Sequence, residues 1–366
     1  MKKGFWKNFF QGSGGKRFAA WQVELTSRCP LRCRMCNRIE YEEFSRRDML
    51  LEDFKRLLPY FQEVEAVVLE GWGESLLHKD LIECIRLAKR EGPRVGFVTS
   101  GKGLNEAYIA ELLQVGVDFM GFSLAGATPQ THNAIRVNSD LHDLLQNIRI
   151  FQEKKSREKL THPRLHIVYL LLQENIREVP ALISLARDLG IGEVVLINLI
   201  HVTNSWQDEQ KVFAEKNPEE FAKILKEAEA KAREGKIKFR CPSLSFGEVA
   251  VCAEDPLHNL YISVEGEVSP CVYLNPPLPS PFKRIFQGRE IQMERVNWGN
   301  LFHEPLDRIW NDKKYVEFRE NWARRKKYFE ERVASLWDRD KLKRFATDSF
   351  PDPPKPCQTC HKILGV

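Results

Sequence analysis

The stretch CPLRCRMC, residues 29–36, carries Cys29, Cys33 and Cys36 in one short loop. It follows the apolar segment Trp21–Thr26, which is predicted to be a buried strand. Thiolates are soft ligands that suit iron–sulfur clusters or zinc, and both kinds of site normally take four ligands. Three thiolates on a four-iron cluster leave one iron open to a substrate or cofactor. The alternative is zinc with a remote fourth ligand, such as His78 or a C-terminal cysteine.

Strand-like and helix-like segments alternate on both sides of this loop. Such alternation indicates parallel pairing with right-handed crossovers, and the chemistry is then expected at the carboxyl ends of the strands. The pattern fits an open doubly wound sheet or an incomplete barrel. The strands are predicted over Trp21–Thr26, Ala66–Leu69, Val95–Thr99, Phe119–Leu124, Leu165–Leu171 and Val194–Asn198. The helices are predicted over Leu51–Phe61, Asp80–Arg90, Asn105–Val115, Leu141–Glu153 and Val179–Leu189.

Composition narrows the class of protein. The chain has 366 residues, 43% of them hydrophobic, and a net charge of +5. It is therefore long enough for a large domain and a smaller one, and its charge does not favour nucleic acid as a partner. No apolar run reaches the roughly 20 residues that span a bilayer. Nine cysteines without a secretion signal argue against a disulfide framework and for metal ligation in a reducing cytoplasm.

The character of the sequence changes after about residue 200. Pro218–Glu234 is predicted to be a charged surface helix, and a β-hairpin is predicted with its turn at Glu265-Gly266. A basic amphipathic section, Tyr315–Phe345, precedes the last cysteine pair. We therefore predict an N-terminal extension over residues 1–18, an α/β domain over residues 19–235 and a small α+β domain over residues 236–366.

A second metal site is predicted in this last domain. Cys252, Cys271, Cys357 and Cys360 combine a hairpin cysteine with a distant CxxC pair, which is a spacing typical of metal sites. A structural zinc ion is the alternative to a cluster. Cys241 is not assigned to this site. It is a further ligand, a thiol that donates hydrogen, or a buried cysteine without a chemical role.

The CxxxCxxC loop after a first strand resembles that of the radical S-adenosylmethionine (SAM) superfamily. The resemblance implies a partial (β/α)6 TIM-like barrel and a catalytic 4Fe-4S cluster on Cys29, Cys33 and Cys36. It also implies that the open iron chelates the amino and carboxylate groups of SAM. Reductive cleavage of SAM then gives a 5′-deoxyadenosyl radical that abstracts hydrogen from the substrate.

Residues 70–75, EGWGES, follow the second predicted strand and resemble the Gly-Gly-Glu-Pro motif of this superfamily. Glycines let the backbone approach a ligand closely, and a carboxylate accepts hydrogen bonds from an ammonium group. The resemblance implies that Gly73 and Glu74 contact the methionine part of SAM. Trp72 stands where the motif has a glycine and Ser75 where it has the proline.

Three further segments match cofactor-binding positions of the superfamily. Residues 99–101, TSG, are similar to its Thr-Asn-Gly motif. Ser123 and Arg136 match positions that contact the ribose and the carboxylate of SAM, although Ala125 replaces an acid between them. Met35 matches a residue that packs on the adenine.

The C-terminal cysteines resemble those of SPASM and twitch extensions, which bind auxiliary clusters. The chain stops six residues after Cys360, so the pattern favours the shorter twitch type with one auxiliary 4Fe-4S cluster. Residues 124–136 and 241–276 also resemble maturases associated with tungsten oxidoreductases.

These features predict an enzyme that oxidatively modifies a peptide, a protein or a cofactor precursor. Its expected partners are a peptide or small-molecule substrate and a reductant such as ferredoxin or flavodoxin. A redox-neutral epimerase and a non-catalytic electron-transfer protein are the alternatives. An epimerase requires a thiol hydrogen donor, for which Cys241 is the candidate. An electron-transfer protein requires no SAM contacts, and Glu74, Ser123 and Arg136 argue against it.

Overall fold

The computed structural model describes residues 15–215, 218–335 and 350–366. A nine-stranded sheet forms its centre, in the order β11-β10-β1-β3-β4-β5-β7-β8-β9, and only β10 and β11 pair antiparallel. These strands are β1 (Phe18–Val23), β3 (Val64–Val68), β4 (Arg94–Thr99), β5 (Phe119–Leu124), β7 (Arg164–Leu171), β8 (Glu193–Asn198), β9 (Lys238–Arg240), β10 (Asn259–Ile262) and β11 (Val268–Ser269).

Two small antiparallel sheets accompany the large one, and helices connect its parallel strands. The small sheets pair β2 (Arg32–Cys33) with β6 (Arg136–Val137) and β12 (Phe282–Phe286) with β13 (Arg289–Met293). The α-helices are α1 (Leu51–Lys55), α2 (Leu81–Arg90), α3 (Glu106–Val115), α4 (Pro129–Ile135), α5 (Leu141–Arg157), α6 (Val179–Asp188), α7 (Ser205–Glu209), α8 (Glu219–Glu234), α9 (Leu306–Trp310) and α10 (Lys313–Ala334). Short 3₁₀ helices cover Asn37–Ile39, Leu58–Glu63, Ser75–Leu77, Ile176–Glu178, Val272–Leu274, Lys355–Cys357 and His361–Leu364.

The predicted α/β class is confirmed. Strands β1, β3, β4, β5, β7 and β8 are the six predicted ones, and they are parallel neighbours in chain order. Among the described residues, β11 and β9 are the two edges and do not pair, so the sheet is open and compatible with a partial barrel. The apolar core contains Trp21, Phe61, Phe97 and Phe122, all fully buried.

Local signals explain most helix boundaries. Asn105 caps α3 by accepting a hydrogen bond from the Tyr108 amide at 2.9 Å, and Gly116 ends the helix at φ 72°. Asp140 caps α5 in the same way. The predicted helix over Leu51–Phe61 is wrong, because α1 ends at Lys55 and a 3₁₀ turn containing Pro59 follows. Proline lacks an N–H group and restricts the residue before it, which ends the α-helix.

The C-terminal part of the chain contributes to the large sheet. β10 pairs in parallel with β1, with Trp21 opposite Leu260. The predicted hairpin is confirmed, since β10 and β11 pair antiparallel and Gly266 takes φ 82° in the turn. The division at residues 235 and 236 stays a prediction. Residues 1–14 of the predicted N-terminal extension and residues 336–345 of the basic section lie outside the described residues.

Candidate active site

The cysteine loop leaves the carboxyl end of β1 and is tied to the segment after β5. Strand β2 places Cys33 directly opposite Arg136 in the small β2–β6 ladder. The loop turns where the Cys36 amide donates to the Cys33 carbonyl at 2.9 Å. The Arg38 guanidinium donates to the Cys29 carbonyl at 3.1 Å. These contacts hold the three predicted ligands and Arg136 in one place.

All three thiols line one large cavity of about 1970 Å³ at the carboxyl ends of the strands. None is in a disulfide. Burial raises the pKa of Cys29 to about 11 and that of Cys36 to about 12. Metal ligation deprotonates such thiols, so bound iron would replace the protons that burial favours here.

The turn after β3 packs against the backbone that leads into the cysteine loop. A Cβ atom on Gly73 would lie 2.1 Å from the Thr26 carbonyl oxygen and 2.7 Å from that of Arg28, so glycine is required. The Glu74 amide donates to the Arg28 carbonyl at 2.8 Å. Gly73 therefore joins the two predicted cofactor-binding loops.

Glu74 is buried, and its carboxylate is held by the end of β4. One oxygen accepts a hydrogen bond from the Thr99 hydroxyl at 2.6 Å. The other accepts from the amide of Ser100 at 2.8 Å and from its hydroxyl at 2.5 Å. The Thr-Ser-Gly segment thus fixes Glu74, which lines the cavity.

Trp72, which departs from the motif, is anchored by a residue that the sequence analysis missed. Its amide donates to the Glu24 carboxylate at 2.7 Å. Its ring packs edge-on to His201, with ring centroids 5.5 Å apart, and it also contacts Phe44. Glu24 is fully buried, and desolvation raises its pKa to about 7. A single glutamate after a strand gives no sequence signal of this role.

Met35, Ser123 and Arg136 line the same cavity. Met35 packs over the apolar group that contains Ala125 and Leu199, which follow β5 and β8. The Nε atom of Arg136 is buried and has no hydrogen-bond partner among the described residues. A buried donor of this kind is costly unless an acceptor binds to it, so its position fits the carboxylate of SAM.

His132 and Asn133, in the same segment as Arg136, serve the local fold. The Ala125 amide donates to His132 Nδ1 at 3.3 Å, and the other ring nitrogen lies 3.0 Å from the Ser139 hydroxyl. Burial lowers the pKa of His132 to about 3, so this ring is neutral. Asn133 accepts a hydrogen bond from the Leu141 amide at 3.0 Å.

The four C-terminal cysteines come together from three segments. The thiol of Cys357 lies within electrostatic range of those of Cys252, Cys271 and Cys360. The CxxC pair forms a turn in which the Cys360 amide donates to the Cys357 carbonyl at 3.0 Å. Of these four, Cys252 also lines the large cavity that Cys29, Cys33 and Cys36 line.

The described thiols do not converge on the position of a single metal ion. Among the described residues, no three thiol, imidazole or carboxylate groups lie close enough to share one metal ion. A zinc ion needs its ligands within about 2.3 Å of one point. A four-iron cluster separates its cysteines more widely, because each thiolate binds a different iron.

Glu254, Lys362 and His201 also lie around this cavity, and none of the three had a signal in the sequence. Glu254 and Lys362 form a buried ion pair of 2.7 Å beside the second group of cysteines. His201 is 5% exposed and lines the cavity. Cys241 is half-buried and lines it as well.

The fold and the site together define an α/β enzyme of the class that holds iron–sulfur clusters at the carboxyl ends of parallel strands. A family model described as the radical SAM superfamily matches residues 23–186, and a SPASM model, described as an iron–sulfur cluster-binding domain, matches residues 252–330. The chain belongs to the radical SAM superfamily and carries a SPASM auxiliary cluster domain. This confirms the predicted family and its cofactors, which are SAM, a 4Fe-4S cluster and an auxiliary cluster. The SPASM match includes Cys252 and Cys271 and ends before Cys357 and Cys360.

Two curated proteins illustrate the similarity. A tungsten-containing aldehyde ferredoxin oxidoreductase cofactor-modifying protein of Pyrococcus furiosus is 26% identical over 303 residues, which are 81% of this chain and 82% of that protein. A PqqA peptide cyclase of Streptomyces rochei is 30% identical over 186 residues, which are 49% of this chain and 48% of that protein.

Solved structures share the fold at lower identity. Streptococcus suis SuiB bound to the precursor peptide SuiA matches with a TM-score of 0.60 at 13% identity, covering 83% of this chain and 67% of that one. Native anSMEcpe with bound AdoMet matches with a TM-score of 0.59 at 14% identity, covering 83% of this chain and 84% of that one. Within the described ranges, no helix has the length and apolar character needed to cross a membrane.

Proposed function

We propose that this chain is a SAM-cleaving radical enzyme that oxidatively modifies a peptide, a protein or a cofactor precursor. The observation that carries the proposal is the single cavity lined by the three loop cysteines, the SAM-contact candidates and Cys252. The two similar curated proteins, a cofactor-modifying protein and a peptide cyclase, support these substrate classes.

Cysteines of this chain are assigned as the ligands of both clusters. Cys29, Cys33 and Cys36 hold the first cluster, and Cys252, Cys271, Cys357 and Cys360 hold the auxiliary one. When bound and reduced, the first cluster supplies the electron that cleaves SAM, and the resulting 5′-deoxyadenosyl radical takes a hydrogen atom from the substrate.

The protein binds and orients SAM through groups that line the cavity. Glu74, fixed by Thr99 and Ser100, accepts hydrogen bonds from the ammonium group. Arg136 donates from its unpartnered Nε to the carboxylate. Ser123 contacts the ribose, and Met35 packs on the adenine while the apolar group beneath it excludes water.

Cys252, one of the proposed auxiliary ligands, lines the same cavity, so a cluster held there would offer a path for the electron that substrate oxidation releases. A ferredoxin or flavodoxin is the proposed reductant for the first cluster. Because these reductants occur in the cytoplasm, we also predict a cytoplasmic location.

An epimerase remains the second candidate function, because Cys241 lines the cavity and could place a hydrogen-donating thiol there. Solvent deuterium found on the reacting carbon of the product would favour it.

The test is anaerobic reconstitution followed by incubation with dithionite and SAM. We expect 5′-deoxyadenosine and methionine as products, with about eight iron atoms per chain. Absence of 5′-deoxyadenosine from protein with an intact first cluster would overturn the enzyme assignment. About four iron atoms per chain would remove the auxiliary cluster.

A further inference from the structure

Arg284 is a fully buried cation in strand β12. Its side chain is 1% exposed and is among the largest fully buried side chains of the described residues. Nη2 donates to the Tyr273 carbonyl at 3.1 Å, whereas Nη1 is buried and has no hydrogen-bond partner in the described ranges. The guanidinium therefore has donors that no protein acceptor uses.

Neighbouring basic residues are paired with carboxylates, and Arg284 is not. Arg295 pairs with Glu267, and Lys362 pairs with Glu254 at 2.7 Å. No acidic side chain in the part of the chain that the structure describes forms such a pair with Arg284. Arginine keeps its charge when buried, and an uncompensated buried charge is strongly destabilising. An anion bound close to this guanidinium would offset its charge.

Two of the C-terminal cysteines lie near this guanidinium. Arg284 donates to the carbonyl of Tyr273, which follows Cys271 by two residues. Its charge reaches the thiols of both Cys271 and Cys357, which belong to different segments. Lys362 and Glu254 lie in the same region, but their opposite charges offset each other. Arg284 is thus the uncompensated cation of the group.

We propose that Arg284 is the counter-charge of the auxiliary cluster and raises its reduction potential. This inference rests on the proposed assignment of the four C-terminal cysteines as ligands. Four thiolates on an iron–sulfur core carry net negative charge, which increases on reduction, so a nearby fixed cation favours the reduced form. The unpartnered Nη1 donor supplies a hydrogen bond toward a thiolate or sulfide sulfur.

The test measures the midpoint potential of the auxiliary cluster by EPR-monitored titration. The full chain carries alanine at Cys29, Cys33 and Cys36, so that the auxiliary cluster is the one that responds. Arg284→Gln removes the charge, and Arg284→Lys keeps it. Arg319→Gln is the matched control, because that half-buried guanidinium stacks on Trp310 at 3.8 Å from the ring centroid and donates to the Trp310 carbonyl at 2.7 Å.

We expect a more negative potential in Arg284→Gln, a smaller shift in Arg284→Lys and no shift in Arg319→Gln, with equal iron content. Equal potentials in all three variants would overturn the proposal, as would equal shifts in Arg284→Gln and Arg284→Lys. If Arg284→Gln takes up no cluster, retention of iron by Arg284→Lys supports a charge requirement, and loss from both contradicts it. Formation of 5′-deoxyadenosine by the unmodified protein tests the proposed function separately.

Discussion

Glu74 shows how one residue prepares a site for a charged ligand. Its carboxylate is buried, yet hydroxyl and amide donors from Thr99 and Ser100 replace the water it has lost. The carboxylate is therefore fixed in position before any cofactor arrives, which lowers the entropic cost of binding. The same residue lines the cavity beside the cysteine loop.

We predict that Glu74→Gln weakens SAM binding to the reconstituted protein by roughly 10- to 100-fold, because a charge-assisted hydrogen bond is lost. Equilibrium dialysis with SAM measures this affinity. Glu158→Gln, an exposed carboxyl at the end of α5, is the control and is expected to bind normally. An unchanged affinity in Glu74→Gln would rule out the assigned contact with the ammonium group.

Arg136 is the second residue that is positioned to bind a ligand, because its buried Nε has no hydrogen-bond partner among the described residues. We predict that Arg136→Met also lowers SAM affinity, while iron content stays at the level of the unmodified protein. Arg136→Lys is expected to recover part of the affinity, since it restores charge but not the planar pair of donors. Loss of iron from both variants would instead assign Arg136 to support of the cysteine loop through the β2–β6 ladder.

At the scale of elements, the site is formed by loops that pack against one another. The turn after β3 packs on the segment after β1, and Gly73 permits this contact because it has no side chain. The motif could be recognised in the sequence. The close approach, with 2.1 Å between a Cβ at Gly73 and the Thr26 carbonyl oxygen, could not. Such a contact joins residues that are far apart in the chain, so a local sequence pattern does not show it.

We predict that Gly73→Ala destabilises the protein by about 2 kcal/mol or more, because the backbone must move to admit the methyl group. SAM affinity should fall as well, since Glu74 follows directly. Thermal unfolding under anaerobic conditions measures the first effect. Gly192→Ala is the matched control, because nothing lies within 4 Å of a Cβ at that position. Equal melting temperatures for the two variants would show that the loops adapt without cost.

The elements differ in how well sequence predicts them. The six parallel strands were found from their β-branched, apolar character, because burial on both faces leaves a strong signal. The bounds of β1 were not predicted correctly, because the strand runs over Phe18–Val23 and the prediction was Trp21–Thr26. Glu24 leaves the strand to bind the Trp72 amide, and that partner lies 48 residues away. Arg284 and His201 were missed for the same reason, because their roles arise from distant neighbours.

At the scale of the whole molecule, strands from the C-terminal part extend the open sheet that the N-terminal part forms. β10 adds to β1, and the Glu24 carboxylate links the two parts by accepting hydrogen bonds from the amides of Trp72 and Val264. Cys252 of the second group of cysteines lines the same cavity as Cys29, Cys33 and Cys36. Strands β9, β10 and β11 of the predicted second domain belong to this same sheet, and the division at residues 235 and 236 stays a prediction.

The buried Glu24 gives the stability of the molecule a dependence on pH. Desolvation raises its pKa from 4.5 to about 7 in the folded protein. The folded state therefore binds the proton more tightly than the unfolded chain. The stability contribution is complete below about pH 4.5 and is lost as the pH rises through about 7. The full effect is on the order of 3 kcal/mol.

We predict that Glu24→Gln, which stays neutral, loses less stability between about pH 5 and about pH 8 than the unmodified protein does. The urea concentration at half-unfolding, measured anaerobically at both values, gives the comparison. Glu158→Gln serves again as the exposed control and should keep the original pH dependence. The same loss of stability in Glu24→Gln would mean that Glu24 does not titrate in this range.

The central claim is that Cys29, Cys33 and Cys36 hold a cluster with one open iron that takes SAM. The EPR spectrum of the dithionite-reduced, full-length protein, recorded with and without SAM, tests it most directly. We predict that SAM changes the signal of the first cluster, and that alanine at all three positions abolishes the change while the auxiliary signal remains. A spectrum that SAM leaves unaltered, or a SAM-induced change that survives loss of these three cysteines, would contradict the account.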